Sequence, residues 1–333
     1  MSVQFSNFGS IVDGIGVVNQ IAETSLENLK AESVLGRLVY RDLESDFTPG
    51  VGATMNVRKP TKFAVKNLAK DGEVKNEALD EKLLPVVIDT HAYASTLTNT
   101  WNETLDIADV VVQITGPLSA AVAVDDTVDE DDPSARSIEA RIADEFKKVI
   151  DSDGATAKDA EGKVIPKAIE HKSKSSFRDT LVKVDAQMNA NKVPLEGRRL
   201  VVSPDFRAEI LSDDLFVKAD SYGSPQVIQR GGAIDAVTAN HMGNFLGFDV
   251  YLSTMLDGAV AFTREAFALA VAVPVPMEGA VSTAVSDKES GYGMRLTKAA
   301  VPSRLSTQVS TDVLCGAAIL DADRCVGIKI ATA

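Results

Sequence analysis

Hydrophobic and polar positions along the chain change period several times, and each change predicts a different element. Ile11 to Ile21 is apolar but broken by Gly14 and Gly16. In the stretch ETSLENLKAESVLGRLVYRDL that follows, Leu26, Leu29, Val34, Leu35, Leu38 and Val39 fall near helical spacing. This predicts an amphipathic arm with a helical portion, ended near Pro49 and Gly50. Such an arm cannot bury its own apolar stripe, so it must pack on something else. From Val51 the texture turns to β. ATMNVRKPTKFAVKNL alternates weakly, and LLPVVIDTHAYASTLTN is rich in β-branched and aromatic residues. With KDGEVKNEALDEK between them, the pair reads as a long two-stranded excursion with a hydrophilic tip at Asp71 and Gly72.

After Trp101 the period becomes helical. Ile107, Val110, Val111, Ile114, Leu118 and Ala121 share a face, with Asp106 and Asp109 near the first turn. The acidic stretch 125–132 interrupts this pattern, which resumes with Ile138, Ile142, Phe146 and Val149; Pro133 suits a breaker or a first helical position. A turn-rich segment, DSDGATAKDAEGK, leads into a compact α/β region. There Phe177, Leu181, Val184 and Met188 line one helical face, expected to form the core of that lobe, and Pro194 marks its end. The strand RRLVVS precedes a short helix, PDFRAEILS, with Ser203 as N-cap and Pro204 at its first position. NFLGFDVYLS and AVAFTREAFALAVAVPVP read as further strands or strand-helix pieces, and residues 280–333 alternate like a terminal antiparallel sheet. No internal repeat of solenoid or propeller period stands out.

A chain of 333 residues with 45% hydrophobic and 25% charged residues is an ordered protein with room for two or more domains. No apolar run reaches the roughly 18 residues of a membrane span. The start MSVQFSNFGS lacks the basic and apolar regions of an export signal, so the chain reads as soluble and unexported. The formal charge of -14 argues against direct duplex binding, which needs clustered Lys and Arg. Cys315 and Cys325 are too few for a disulfide framework and read as buried free thiols.

Catalytic constellations are hard to find. His91, His171 and His241 stand far apart and outside any metal-binding frame. Gly9, Gly14 and Gly16 lack the preceding strand of a dinucleotide site. Asp151, Asp153 and Gly154 resemble the start of a calcium loop, but the later ligands are missing, which favours a solvated turn. The acids Asp125, Asp126, Asp129, Glu130, Asp131 and Asp132 repel one another and read as an exposed loop. No catalytic residue, cofactor or metal ligand is therefore expected.

VPLEGRRLVVSPDFRAEILSDDLF followed by NFLGFDVYLSTML resembles the tailed-bacteriophage major capsid proteins. The matching residues are Pro194, Gly197, Arg198, Val201, Ser203, Pro204, Leu211 and Gly247 to Tyr251. LPVVIDTHAYASTLTNTWNETLDIADVVVQITGP likewise looks like that family's return strand passing into its spine helix. The resemblance implies an α+β, Hong Kong 97-type fold. It implies an N-terminal arm at 1–48, an extended loop and return strand at 49–102, and a spine helix and peripheral domain at 103–165. An axial domain at 166–275 and returning C-terminal strands at 276–333 would complete it.

Its function would be a non-enzymatic one: self-assembly, through hexamers and pentamers, into an icosahedral head shell. The shell would enclose double-stranded DNA without reading its sequence and without touching a membrane. Because the chain begins at the arm, a separate scaffolding protein is implied, and the resemblance adds a portal as a further partner. Assembly would take place in the bacterial host cytoplasm, and the finished protein would reside in the virion capsid. Lys66, Lys70, Asp71, Glu73, Lys75, Glu77, Asp80 and Glu81 are expected to form an intersubunit extended loop. Rival readings are an encapsulin-like compartment holding protein cargo, a small-molecule enzyme built on the α/β lobe, and a tail-tube or adhesin subunit.

Overall fold

The computed structural model describes residues 11–41, 53–59, 65, 67–68, 73–74, 76, 82–99, 110–124, 136–172, 177–212, 240–287 and 290–330. Its first helix, α1 (Ile11–Glu32), runs straight through Gly14 and Gly16. Glycine in a helix interior costs about 1 kcal/mol relative to alanine, which tertiary packing readily overrides. Here Leu26 and Leu29 enter the main core, and Ala22 packs on Leu296 and Val309. The helix ends at Glu32 instead of continuing toward Pro49 and Gly50, and a 3-10 turn follows at Leu35–Arg37. A carboxylate captures the chain there: Glu139 accepts hydrogen bonds from Ser33 Oγ, Leu35 N and Gly36 N. Leu35, Leu38 and Val39 are thus buried through an irregular segment and not along a helical stripe.

Strands β1 (Thr54–Lys59) and β2 (Lys82–Val87) pair antiparallel, from Thr54 opposite Val87 to Lys59 opposite Lys82. The expected single return strand breaks at Ile88–Asp89, and β3 (Thr90–Asn99) belongs to a different sheet. Helices α2 (Val110–Val124) and α3 (Ile138–Ile150) follow. Ile107, Asp106, Asp109, the acidic stretch 125–132 and Pro133 lie outside the described residues. In α3 the expected face is buried, with Ile138, Ile142, Phe146 and Val149 all inside. Ser137 Oγ accepts the amide of Ala140, Glu139 sits in the first turn, and Lys147 and Lys148 in the last, matching the helix dipole.

The α/β lobe comprises β4 (Ile169–His171), α4 (Phe177–Ala190), β5 (Arg198–Val202), α5 (Pro204–Ser212), β6 (His241–Phe245), β7 (Phe248–Leu252) and β8 (Ala259–Thr263). Ser203 Oγ accepts the amide of Phe206, so α5 begins where the Ser-Pro pair predicts. Beyond β9 (Phe267–Ala272) come β10 (Val281–Asp287), β11 (Tyr292–Val301), β12 (Ser306–Ile319) and β13 (Cys325–Ile330). One sheet has the order β10-β11-β12-β3, with β9 also beside β12; the other has the order β4-β13-β8-β5-β7-β6.

The C-terminal strands therefore do not form one antiparallel sheet. β10, β11 and β12 do, but β13 crosses to the second sheet, antiparallel to β8 and parallel to β4. The crossing follows a 3-10 turn at Ala322–Arg324, whose amides are fixed by the carboxylates of Asp159 and Asp321.

Candidate functional site

Chemistry-bearing side chains are scattered, and each has a local partner. His91 Nε2 lies 2.8 Å from Asp312 Oδ2, which also binds Arg295. His171 Nδ1 is 2.8 Å from Thr180 Oγ1, and its Nε2 is 2.7 Å from Glu209. His241 stacks on Tyr251, with ring centroids 4.9 Å apart. The two cysteines are free and buried, and burial pushes the Cys315 thiol up to about 12. Asp153 Oδ1 closes its own turn by accepting the amides of Ala155 and Thr156, while Asp151 pairs with Lys329. Among the described residues no group of three or more His, Cys, Asp or Glu side chains is placed to hold a metal. No described helix is long and apolar enough to cross a membrane.

The feature with a distinctive geometry is the β1–β2 hairpin. One face of it is apolar and buried: Met55, Leu84 and Val86 pack on Ala268, Ala270, Ala272 and Leu320. The other face is uncovered in the single chain. Leu83 is 55% exposed and Val87 48%, and of the loop between the strands Val65, Leu68, Glu73 and Val74 are exposed. Lys66, Lys70, Asp71, Lys75, Glu77, Asp80 and Glu81 lie outside the described residues.

The root of the hairpin is held tightly. Arg141 on α3 donates from Nε and Nη2 to the two carboxylate oxygens of Asp89, each at 3.0 Å. The same guanidinium binds Glu145 at 2.7 Å and the carbonyl of Ala317 on β12 at 3.2 Å. Burial acts to raise the pKa of Asp89, but the hydrogen bond and charge of Arg141 outweigh it and hold the carboxyl below its ordinary value. Ile88 N closes the base by donating to Ala53 O at 2.7 Å. Just beneath, β2 crosses β12 at Gly316, where a Cβ would stand 2.0 Å from Val87 O. Only glycine permits that crossing, and this is why the strand bends where it does.

A second polar node fixes the chain that follows α1. Glu139 is buried, and burial pushes its carboxyl up against the pull of hydrogen bonds from Gly36, Ser33 and Leu35. Ser33 Oγ also lies 2.5 Å from the Tyr292 hydroxyl, joining α1, α3 and β11. Neither Arg141 nor Glu139 was singled out by sequence pattern. The pairing of Arg141 with Glu145 at i, i+4 was the one available hint, and nothing in spacing links either residue to Asp89 or Ser33.

Phe177, Leu181, Val184 and Met188 are all buried in the lobe, against Leu200, Val202, Phe206, Phe248 and Val250. Arg198 is buried beside them, reaching Asp185, Asn189 and the carbonyls of Val193 and Pro194.

Several solved structures share this architecture. A structure from Mycobacterium phage Che8 superposes with a TM-score of 0.58 at 16% identity, over 89% of this chain and 90% of that one. A capsid structure of the cyanophage P-SCSP1u gives 0.54 at 12% identity, over 90% and 89%. The mature capsid of bacteriophage PhiM1 gives 0.53 at 13% identity, over 90% and 86%. The fold is thus the α+β, Hong Kong 97-type capsid fold that the resemblance implied. No curated protein matches the sequence. The sequence profile described as "Phage capsid protein" matches residues 85–304, more than half of the chain, and the chain belongs to that family.

Proposed function

We propose that this chain is a major capsid subunit that self-assembles into the icosahedral head shell enclosing double-stranded phage DNA. Family membership supports the reading, and the hairpin is the observation that carries it. A projection that is held at its root, buried on one face and exposing Leu83, Pro85 and Val87 beside Thr54, Asn56 and Arg58 on its open face is suited to lie on another molecule. In this reading residues 1–48 are the N-terminal arm, 49–102 the extended loop and return strand, and 103–165 the spine helix and peripheral domain. Residues 166–275 form the axial domain, with Phe177, Leu181, Val184 and Met188 as its core, and residues 276–333 return to the body.

The charged loop residues Lys66, Lys70, Asp71, Glu73, Lys75, Glu77, Asp80 and Glu81 dock on a neighbouring subunit. Each exposed pair contributes only about 0 to 1 kcal/mol, but a closed lattice repeats the contact in every subunit. The role is geometric and involves no catalysis. Hexamers and pentamers of the chain close around a separate scaffolding protein and a portal in the host cytoplasm, and the finished shell is part of the virion. The -14 charge favours holding DNA by confinement and not by binding.

Shortening residues 68–79 to a tight Asn-Gly turn tests the reading. Circular dichroism and melting of the unassembled protein should stay near the parent's, while electron microscopy with scaffold supplied should find shells lost or deformed. Normal shells from the shortened chain would remove the loop from the interface.

A further inference from the structure

The sheet face on which the hairpin lies continues beyond it as open surface. A Cβ at Gly316 would point at Val87 O, and Leu314 and Ala318 pack against the cluster of Met55, Leu84 and Val86, so the hairpin covers this face of β12. Side chains alternate along a strand, and directly opposed residues share a face. His91 stands opposite Leu314, Tyr93 opposite Asp312, Ser95 opposite Ser310 and Leu97 opposite Gln308. His91, Tyr93, Ser95 and Leu97 therefore lie on the hairpin's side of the sheet, and all four are exposed, Tyr93 by 69% and Leu97 by 42%. Leu84 and Val86 point into the sheet, so Leu83, Pro85 and Val87 point away from it. One exposed series thus runs from the raised hairpin, past the bend at Ile88–Asp89, down to the floor formed by β3. The acid in that floor, Asp312, is buried and matched: Arg295 binds both of its carboxylate oxygens, and His91 Nε2 lies 2.8 Å from one of them.

A molecule resting on the open hairpin face alone meets Leu83, Pro85 and Val87 beside Thr54, Asn56 and Arg58. These are few against the roughly 20 to 30 residues a side of a stable protein interface, so the contact must reach onto adjoining surface. The floor beside the hairpin has the composition of an interface centre, where tyrosine is enriched and charge depleted. In a chain with 25% charged residues, His91, Tyr93, Ser95, Leu97, Gln308 and Ser310 include no Asp, Glu, Lys or Arg. We propose that the outer face of β3, centred on Tyr93 and Leu97, is a docking surface for a second copy of this chain that spans the step from hairpin to floor. The inference rests on the shell reading, in which a second copy already lies on the hairpin. A lipid surface is the poorer occupant. Ser95, Ser310 and Gln308 interleave with the apolar side chains, and such groups need hydrogen-bond partners that a protein supplies and a hydrocarbon layer does not.

Two measurements on the full chain test this. In an electron cryomicroscopy structure of the assembled shell, atoms of a neighbouring subunit should lie within about 4 Å of the Tyr93 ring. A ring left in solvent, or covered by its own subunit or by a different protein, overturns the proposal. Tyr93→Thr keeps the strand preference of an exposed position and should leave melting of the unassembled protein close to the parent's. It should raise the concentration needed for assembly about tenfold, the scale of one aromatic anchor, while Tyr93→Phe assembles nearly normally. Leu97→Thr, expected to raise it less, decides the point if Tyr93→Thr melts early. Assembly of both Thr variants at the parent's concentration overturns the docking surface and leaves the shell reading standing. Failure of the unaltered chain to assemble with scaffold under any condition overturns the shell reading, and the docking surface with it.

Discussion

Replacing Arg141 with alanine removes a side chain that ties the hairpin root to both α3 and β12. Its side chain is 13% exposed and makes four hydrogen bonds, two to Asp89, one to Glu145 and one to Ala317 O. The Asp89 carboxylate is about half exposed, so the paired bonds to it are screened and together contribute about 1 kcal/mol. Glu145 is nearly buried, and its bond to Arg141 contributes about 1.5 to 3 kcal/mol. Lys148, 2.7 Å from the same oxygen, recovers part of that loss when Arg141 is gone. Arg141→Ala should therefore cost about 2 to 4 kcal/mol, and Asp89→Asn about 1 kcal/mol or less. In a double-mutant cycle the two should couple by about 0.5 to 1 kcal/mol.

Urea unfolding supplies these numbers, and hydrogen exchange of the β1 and β2 amides reports whether the loss is local to the hairpin. The pH dependence gives an independent check. The pKa of Asp89 is lowered in the folded chain, so its stabilisation is complete above the unfolded carboxyl's value and is lost as pH falls through the folded one. The difference between parent and Asp89→Asn should accordingly shrink toward zero in strong acid. An Arg141→Ala protein that unfolds at the parent's urea midpoint would refute the anchor. A costly Arg141→Ala that does not couple to Asp89 would reassign the residue to α3 alone.

Leu181→Ala should cost about 2 to 5 kcal/mol in urea unfolding, because the side chain is fully enclosed between α4 and its sheet. Gly316→Ala should destabilise or prevent folding, since its Cβ would meet backbone and not a movable side chain; a parent-like melting curve would mean that β2 does not cross there. Cys315 and Cys325 should resist thiol reagents in the folded protein and react together on unfolding, as burial pushes both thiols up.

Periodicity revealed the elements whose order is local. The buried faces of α3 and α4 follow their own spacing, and α5 begins at Ser203 and Pro204 because a cap and a first-turn proline act within one turn. What stayed hidden depends on partners far along the chain. LLPVVIDTHAYASTLTN looks like one strand because each of its halves is a good strand. The break at Ile88–Asp89 is imposed by Arg141, 52 positions away, and by the missing side chain at Gly316. The arm reads as helical past Glu32 because Leu35, Leu38 and Val39 keep a helix-like spacing. A carboxylate 104 positions from Leu35 turns the chain instead. β13 alternates like its predecessors, and only the turn held by Asp159 and Asp321 sends it to the other sheet.

The contacts that hold the chain after α1 and the hairpin root converge on α3. Glu139 in its first turn holds the end of the arm, and Arg141, two residues on, holds the hairpin root. In its middle Phe146 packs between Phe262 of β8 and Phe267 at the start of β9, with ring centroids 5.0 and 4.4 Å away. At its end the backbone at Val149 passes so close to Gly327 of β13 that a Cβ there would lie 2.3 Å from the Val149 carbonyl oxygen. One helix therefore touches the arm, the hairpin, the first sheet and the second sheet through contacts that are close-packed or hydrogen-bonded and have little room to slide. At the hairpin root the contacts to this helix run through Arg141, which binds Asp89 and the carbonyl of Ala317 on β12. An appendage anchored this way can change its angle only if the Asp89 clamp opens or the body moves with it. Asp89 and Glu139 are thus the carboxylates through which α3 holds the hairpin root and the chain that follows α1.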